Sequence, residues 1–284
     1  MTQSMFIVWR ESVEALLVLG ILQAWVSRQP QTRPLLRYVW SGAALGLLLS
    51  TGLAGLILLA GEAMSGAANE WFQAALALVA SVLIVQMVGW MRRNAGTLKQ
   101  KLTRHADQRL DRQGGLGLLV LALLAVSREG SETVVFLYGA GSRLQGPQLG
   151  LFAVGAVAGL VLALLTVSLL HSGRRFISWP RFFAISEAIL LLLGAALLVS
   201  GIERVAGQLL AMDWPEAVYR GIGDALWDSS AILDDGHGFG GFLADFAGYR
   251  ASPSALTLLA WIGYWLAVVG WLRPRKVETL PCPT

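Results

Sequence analysis

Apolar residues along this chain do not alternate with polar ones over short periods; they gather into long runs separated by charged stretches. A helix needs about 20 apolar residues to cross the hydrocarbon core of a bilayer. Seven runs approach or exceed that length: Met5 to Val26, Val39 to Ala60, Trp71 to Met91, Leu116 to Gly139, Leu149 to Leu170, Phe182 to Ile202 and Leu256 to Leu272. The pattern predicts an all-α polytopic membrane protein with seven transmembrane helices. Met1 to Ser4 carries no basic residue, and the charges of the first run sit in its middle. That run is therefore expected to be a retained helix and not a cleaved signal peptide.

Composition agrees, with 55% hydrophobic and 14% charged residues among 284. The one cysteine, Cys282, lies near the C-terminal end, which excludes an intrachain disulfide or a thiolate metal site. The basic residues add orientation. Sixteen of the 22 fall between runs one and two, three and four, or five and six, or after run seven. The alternate segments hold only Arg143, Arg204, Arg220 and Arg250. Cytoplasmic loops are enriched in Lys and Arg, so the N-terminus is expected outside and the C-terminus in the cytoplasm, across the cytoplasmic (inner) membrane. The net charge of +4 is then a topology signal and calls for no nucleic-acid partner. Trp71, Trp90, Trp179, Trp261 and Trp271, near run ends, read as an interfacial aromatic belt.

Seven ionisable residues interrupt the runs: Arg10, Glu11, Glu14, Arg128, Glu129, Glu132 and Glu187. Six of them form two copies of one pattern, R-E-x-x-E, in "WRESVE" of run one and "SREGSE" of run four. The second copy lies three runs after the first, an odd offset, so the two halves would cross the membrane in opposite senses. This predicts an inverted 3+3 helix repeat within a single transmembrane domain spanning 1–284. Repeat 1 covers 5–91, repeat 2 covers 116–202, an external acidic loop covers 203–254, and a seventh, C-terminal helix covers 256–272. Inverted repeats characteristically build a substrate site where the halves meet, near the bilayer midplane.

Each charge near a helix centre costs roughly 2.5 to 3.5 kcal/mol on insertion scales, so the six together stand against something on the order of 15 to 20 kcal/mol. They must face one another. Residues four apart share a helix face, which pairs Arg10 with Glu14 and Arg128 with Glu132. Glu11 and Glu129 lie on the same sides, so packing of spans one and four would bring four carboxylates together, with Ser12, Gly130 and Ser131 allowing close approach. Four carboxylates and two guanidinium groups sum to −2, a deficit suited to a bound cation. Oxygen ligands favour hard ions such as ferric iron, magnesium, calcium or manganese. The three histidines, His105, His171 and His237, all fall outside the runs. The competing reading makes both motifs ion-pair staples between the two spans. Glu187, about five residues into run six, is expected to snorkel to the interface or to stand on an exit path.

The segment 203–254 carries eight acidic residues against three arginines, and its glycines and aromatics suggest a packed, shaped loop. An external cation would meet a negative field there.

The paired R-E-x-x-E motifs in spans one and four, with the stretch "LWDSSAILDDGHGFGGFLADFAGYRASPS", resemble the oxidase-dependent iron permease family of fungi and bacteria, to which the permease of the tripartite Efe iron-uptake system belongs. The similarity covers nearly the whole chain. It implies high-affinity iron uptake, with iron as transported substrate and no cofactor. Glu11, Glu14, Glu129 and Glu132 would be ligands in transit, supported by Arg10 and Arg128. Family members commonly carry R-E-G-hydrophobic-E, from which Ser12-Val13 and Gly130-Ser131 depart. Loop carboxylates are thought to pass iron inward in the family; Asp224, Asp228, Asp234 and Asp235 match. Fungal relatives work with a multicopper oxidase and bacterial ones with periplasmic partners, so an iron-delivery, oxidase or peroxidase protein is an expected partner. The alternatives are a permease for lead or manganese, a membrane-embedded carboxylate-metal enzyme, and a charge-stapled assembly or sensor protein. An enzyme of that kind ordinarily needs Glu-x-x-His on two helices, which no run contains.

Overall fold

The computed structural model describes residues 1–27, 30–94, 115–142, 144–171, 179–212 and 223–272. The basic residues of 95–114, 172–178 and 273–284, with Arg28, Arg143, Arg220, Asp213, Glu216, His105 and Cys282, lie outside them. Among the described residues helices dominate, joined by turns and irregular segments such as 223–237 and 248–254, with a 3-10 turn at Pro30–Leu35 and one isolated antiparallel bridge, Ala225 with Ser254. The long helices are α1 (Thr2–Val26), α2 (Leu36–Ala63), α3 (Ala67–Asn94), α4 (Gly115–Gly141), α5 (Pro147–His171), α6 (Trp179–Leu210) and α8 (Ala255–Leu272). A short α7 (Gly238–Ala247) precedes the last of them. Five helices, α2, α3, α5, α6 and α8, are long and apolar enough to cross a membrane. Helices α1 and α4 are comparable in length, at 25 and 27 residues, and differ in carrying the motif charges.

Helix ends follow the apolar runs within a turn, with one exception. Helix α6 continues two turns past Ile202, so Glu203 and Arg204, expected in a loop, are helical. They can be so because both are paired: Arg204 donates to Glu70 Oε2 (2.8 Å) and Ser142 Oγ (3.0 Å), and Glu203 accepts from Arg250.

Packing is set by small residues. Helix α2 lies along α4, and α5 along α1. Gly42 abuts the backbone of Leu119, nine residues before Arg128; Gly155 abuts Met1, nine before Arg10. Gly46 abuts Leu123 and Ser127, five and one before Arg128; Gly159 abuts Met5 and Trp9, five and one before Arg10. Helix α2 thus grips α4, and α5 grips α1, each with a G-x-x-x-G face at the same offsets. Without a Cβ these backbones approach closely, which is how helices associate where lipid already solvates the larger side chains. The large residues of α2 and α5, such as Leu48, Leu56, Leu59, Val157 and Leu165, point outward instead.

Helices α1 and α4 also touch each other, and α3 packs on α6. Two apolar clusters bracket the α1–α4 contact. One holds Ile7 and Phe136 with Ile84, Leu193 and Leu197. The other holds Leu19 and Leu22 with Val39, Leu118, Ala122 and Val126. The motif residues lie between them. By helix rise, Glu11 is about 14 Å from the start of α1, and Glu132 about 14 Å from the end of α4.

The segment before α8 is shaped. Leu226 N–H donates to Pro253 O and Ser229 N–H to Ala251 O, both at 2.9 Å. Helix α7 ends at Gly248 (φ 72°), where the left-handed conformation and the contact with Ala195, Ala196 and Val199 of α6 both favour glycine.

Candidate metal centre

On α1, the i,i+4 spacing sets Arg10 Nη2 2.6 Å from Glu14 Oε1, and Arg10 Nη1 also donates to Glu11 Oε1 at 2.7 Å. The same spacing on α4 gives Arg128 Nε to Glu132 Oε1 at 3.0 Å, with Glu129 Oε1 at 3.9 Å. Glu11, Glu129 and Glu132 meet across the α1–α4 contact, each offering a carboxylate oxygen within 4.8 Å of the others. Among the described residues they are the one such group. Glu14 lies outside it, on Arg10.

Each of the three converging carboxylates keeps a buried oxygen with no hydrogen bond: Glu11 Oε2, Glu129 Oε2 and Glu132 Oε2. Buried polar atoms are nearly always partnered, and the cost of leaving one alone is roughly 1–3 kcal/mol, more when charged. Three such atoms at one place fit an absent cation with hard oxygen preference.

The two arginines have different surroundings. Arg10 is 1% exposed. Beyond its two carboxylates it donates to two thioether sulfurs of α3, Nη1 to Met87 Sδ and Nη2 to Met91 Sδ, each at 3.1 Å. Arg128 is 39% exposed and stacks over the Trp90 ring, 4.6 Å from its centroid. Arg128, Glu132 and Trp90 line a crevice of about 1060 Å³ between α3, α4, α6 and α8.

Three expectations change. Gly130 was expected to bring α1 and α4 together; it faces α2, where a Cβ would collide with Ser50. Glu187, expected to snorkel, is buried and accepts from Arg92 Nε at 2.9 Å, an arginine that is itself half-exposed near the end of α3. The loop aspartates build turns. Asp228 accepts from Ser230 N–H (2.9 Å) and Ser252 Oγ (3.2 Å), Asp234 from Gly236 N–H (3.0 Å) and His237 Nδ1 (2.9 Å), and Asp235 from Ala251 N–H (3.2 Å). The Ser230 and Gly236 amides hold the Asp228 and Asp234 carboxyls below the usual carboxylate range. Asp224 is exposed.

Met87 and Met91 escaped the sequence reading because apolar runs give them no contrast, and Trp90 was read only as a belt residue. Asp245 was counted only as one loop charge. Its side chain lines a pocket of about 130 Å³ with Gln3, Ser200, Arg204 and Arg250, at the bundle end where α1 starts and α4 stops. Burial pushes its carboxyl up.

The model of the iron permease FTR1 family matches residues 1–278. A ferrous iron permease EfeU of Escherichia coli O6:H1 is 27% identical over 274 residues, covering 95% of each chain. That of Escherichia coli O157:H7 gives the same figures. A ferrous iron permease EfeU of Yersinia pestis is 26% identical over 275 residues, 95% of this chain and 93% of that one. No solved structure matches the chain.

Proposed function

The chain belongs to the iron permease FTR1 family, and from that premise we propose that it imports iron through a three-carboxylate site made by Glu11, Glu129 and Glu132, with Glu14 holding Arg10 in place. The observation that carries this reading is the convergence of three buried carboxylates from the two motif copies, each with an unpartnered oxygen.

In this reading α1 to α6 and α8 are seven spans, the N-terminus faces outside, and α1–α3 and α4–α6 are inverted repeats. The matching offsets of the two G-x-x-x-G grips support the repeat. Iron enters past Asp245 and the small end pocket, exchanges water for the three carboxylates, and leaves toward the basic cytoplasmic end. Asp224, Asp228, Asp234 and Asp235 contribute a negative field on the approach. A periplasmic iron-delivery, oxidase or peroxidase protein would present the ion at that end. The relatives are permeases, so carboxylate-metal enzyme chemistry is not proposed.

Radioactive iron uptake in cells tests the site. Glu129→Gln and Glu132→Gln should each lower uptake at least about tenfold at unchanged protein level, since each removes a charged ligand. Unchanged uptake in both would end the assignment. Lead or manganese uptake without iron uptake would move the substrate.

A further inference from the structure

We propose that the two motif arginines have unequal tasks: Arg10 is a fixed counter-charge, whereas Arg128 neutralises Glu132 while no metal is bound and releases it, drawing back over Trp90 into the crevice it already lines, when the ion binds. The proposal rests on the three-carboxylate reading above and adds the means by which affinity is set.

Arg10 has nowhere to go. Its guanidinium is buried between Glu11 and Glu14 on one side and the sulfurs of Met87 and Met91 on the other. The acceptors lie on two helices, so moving it would break contacts to both. Met87 and Met91 are positioning residues in this sense, holding the arginine and touching no metal.

Arg128 is held by one hydrogen bond, Nε to Glu132 Oε1, and by the face of Trp90. Glu132 is one of the three converging ligands. A divalent or trivalent ion bound to Glu132 would face a guanidinium about 3 Å from its own ligand atom, and like charges that close repel strongly outside bulk water. Withdrawal relieves this. The crevice supplies the space, since Arg128 and Glu132 both line it. Trp90 supplies a surface on which a cation remains stabilised after leaving the carboxylate. Return of Arg128 to Glu132 then helps to expel the ion, which a site of three buried carboxylates would otherwise hold too long.

Two measurements on the purified full chain in detergent test this, with anaerobic ferrous iron as probe. First, phenylglyoxal modification of each arginine is followed by peptide mass spectrometry. Iron should raise the Arg128 rate several-fold and leave Arg10 unmodified. Second, Arg128→Gln should bind ferrous iron about tenfold more tightly, the low end of what one neighbouring charge does to a carboxylate's cation affinity. In vesicles its KM and its maximal rate should both fall. Arg128→Lys, which keeps the charge on a compact head, should stay within about threefold of wild type in affinity; it serves as the variant to read if Arg128→Gln does not fold. An Arg128 rate unchanged or slowed by iron overturns the proposal, as does an affinity of Arg128→Gln equal to or weaker than wild type, or an Arg128→Lys that binds tenfold tighter. If wild type itself binds no iron, the three-carboxylate reading fails instead.

Discussion

At the scale of residues, the decisive contrast is between a charge that is buried and one that is half-buried. Replacing one partner of a buried ion pair leaves the other charge unpaired, at a cost of about 3–5 kcal/mol. Arg10→Gln strands both Glu11 and Glu14 and should lose folded protein, read as a fall in detergent-solubilised yield and thermal midpoint. Removing its thioether acceptors is milder. Met87→Leu with Met91→Leu keeps the volume and withdraws two acceptors from N–H groups, so a loss of about 1–3 kcal/mol by thermal unfolding is expected, with Glu11 and Glu14 still paired. The i,i+4 pairs were legible in the sequence because helical spacing alone fixes them. That Glu11 and not Glu14 comes within reach of Glu129 and Glu132 was not, because Arg10 pairs with both and only the packing of α1 on α4 decides which of them faces the other motif. Met87 and Met91 lie 77 and 81 positions from Arg10, within a run where nothing marks one face. Trp90 was legible only as a belt residue: its place near a helix end is real, and its contact with Arg128 is a tertiary fact.

At the scale of elements, run lengths announced the helices well because lipid imposes a length and every backbone group must be bonded inside the segment. Partners were harder to read, since small residues mark close approach without saying to what. Gly130 packs on Ser50 of α2. Gly130→Ala should therefore destabilise by about 1–3 kcal/mol through overpacking, and Ser50→Gly should restore most of it, whereas changes at Ser12 should not. A double-mutant cycle in thermal midpoint decides between the two partners. The shaped segment before α8 has its own pH dependence. Asp228 and Asp234 have folded-state values below their unfolded ones. The turns they hold are therefore fully supported above the unfolded aspartate value of about 3.9 and lose that support as pH falls through the lowered folded values. Hydrogen exchange of the 226–238 peptide, corrected for intrinsic rate, should be unchanged between pH 7 and 5 and accelerate as pH falls below the unfolded aspartate value of about 3.9. Equal protection at pH 2 and pH 7 would contradict the turn assignment.

At the scale of the whole molecule, two antiparallel motif helices, each gripped by glycines of α5 or α2, place carboxylates about midway through the bundle with an apolar cluster on either side. The clusters separate the carboxylates from the two ends of the bundle, and an ion that crosses there carries its charge through the membrane potential. A potential negative inside supplies about 2.3 kcal/mol per charge per 100 mV, or about 4.6 for a divalent ion and about 7 for a trivalent one. In sealed vesicles holding the full chain, with the potential set by potassium and valinomycin and no ATP, the logarithm of the iron accumulation ratio should rise linearly with potential. Its slope counts the net charge moved per iron. With iron supplied as the ferrous ion, the form that the names of the EfeU relatives give for them, a slope of two means that it moves with no net proton flux. A slope of one or zero would mean that protons leave as iron enters, and would require the carboxylates to carry those protons when empty. Accumulation indifferent both to potential and to the pH difference would contradict uptake through this site, because an ion that crosses with net charge, or in exchange for protons, must respond to one of them.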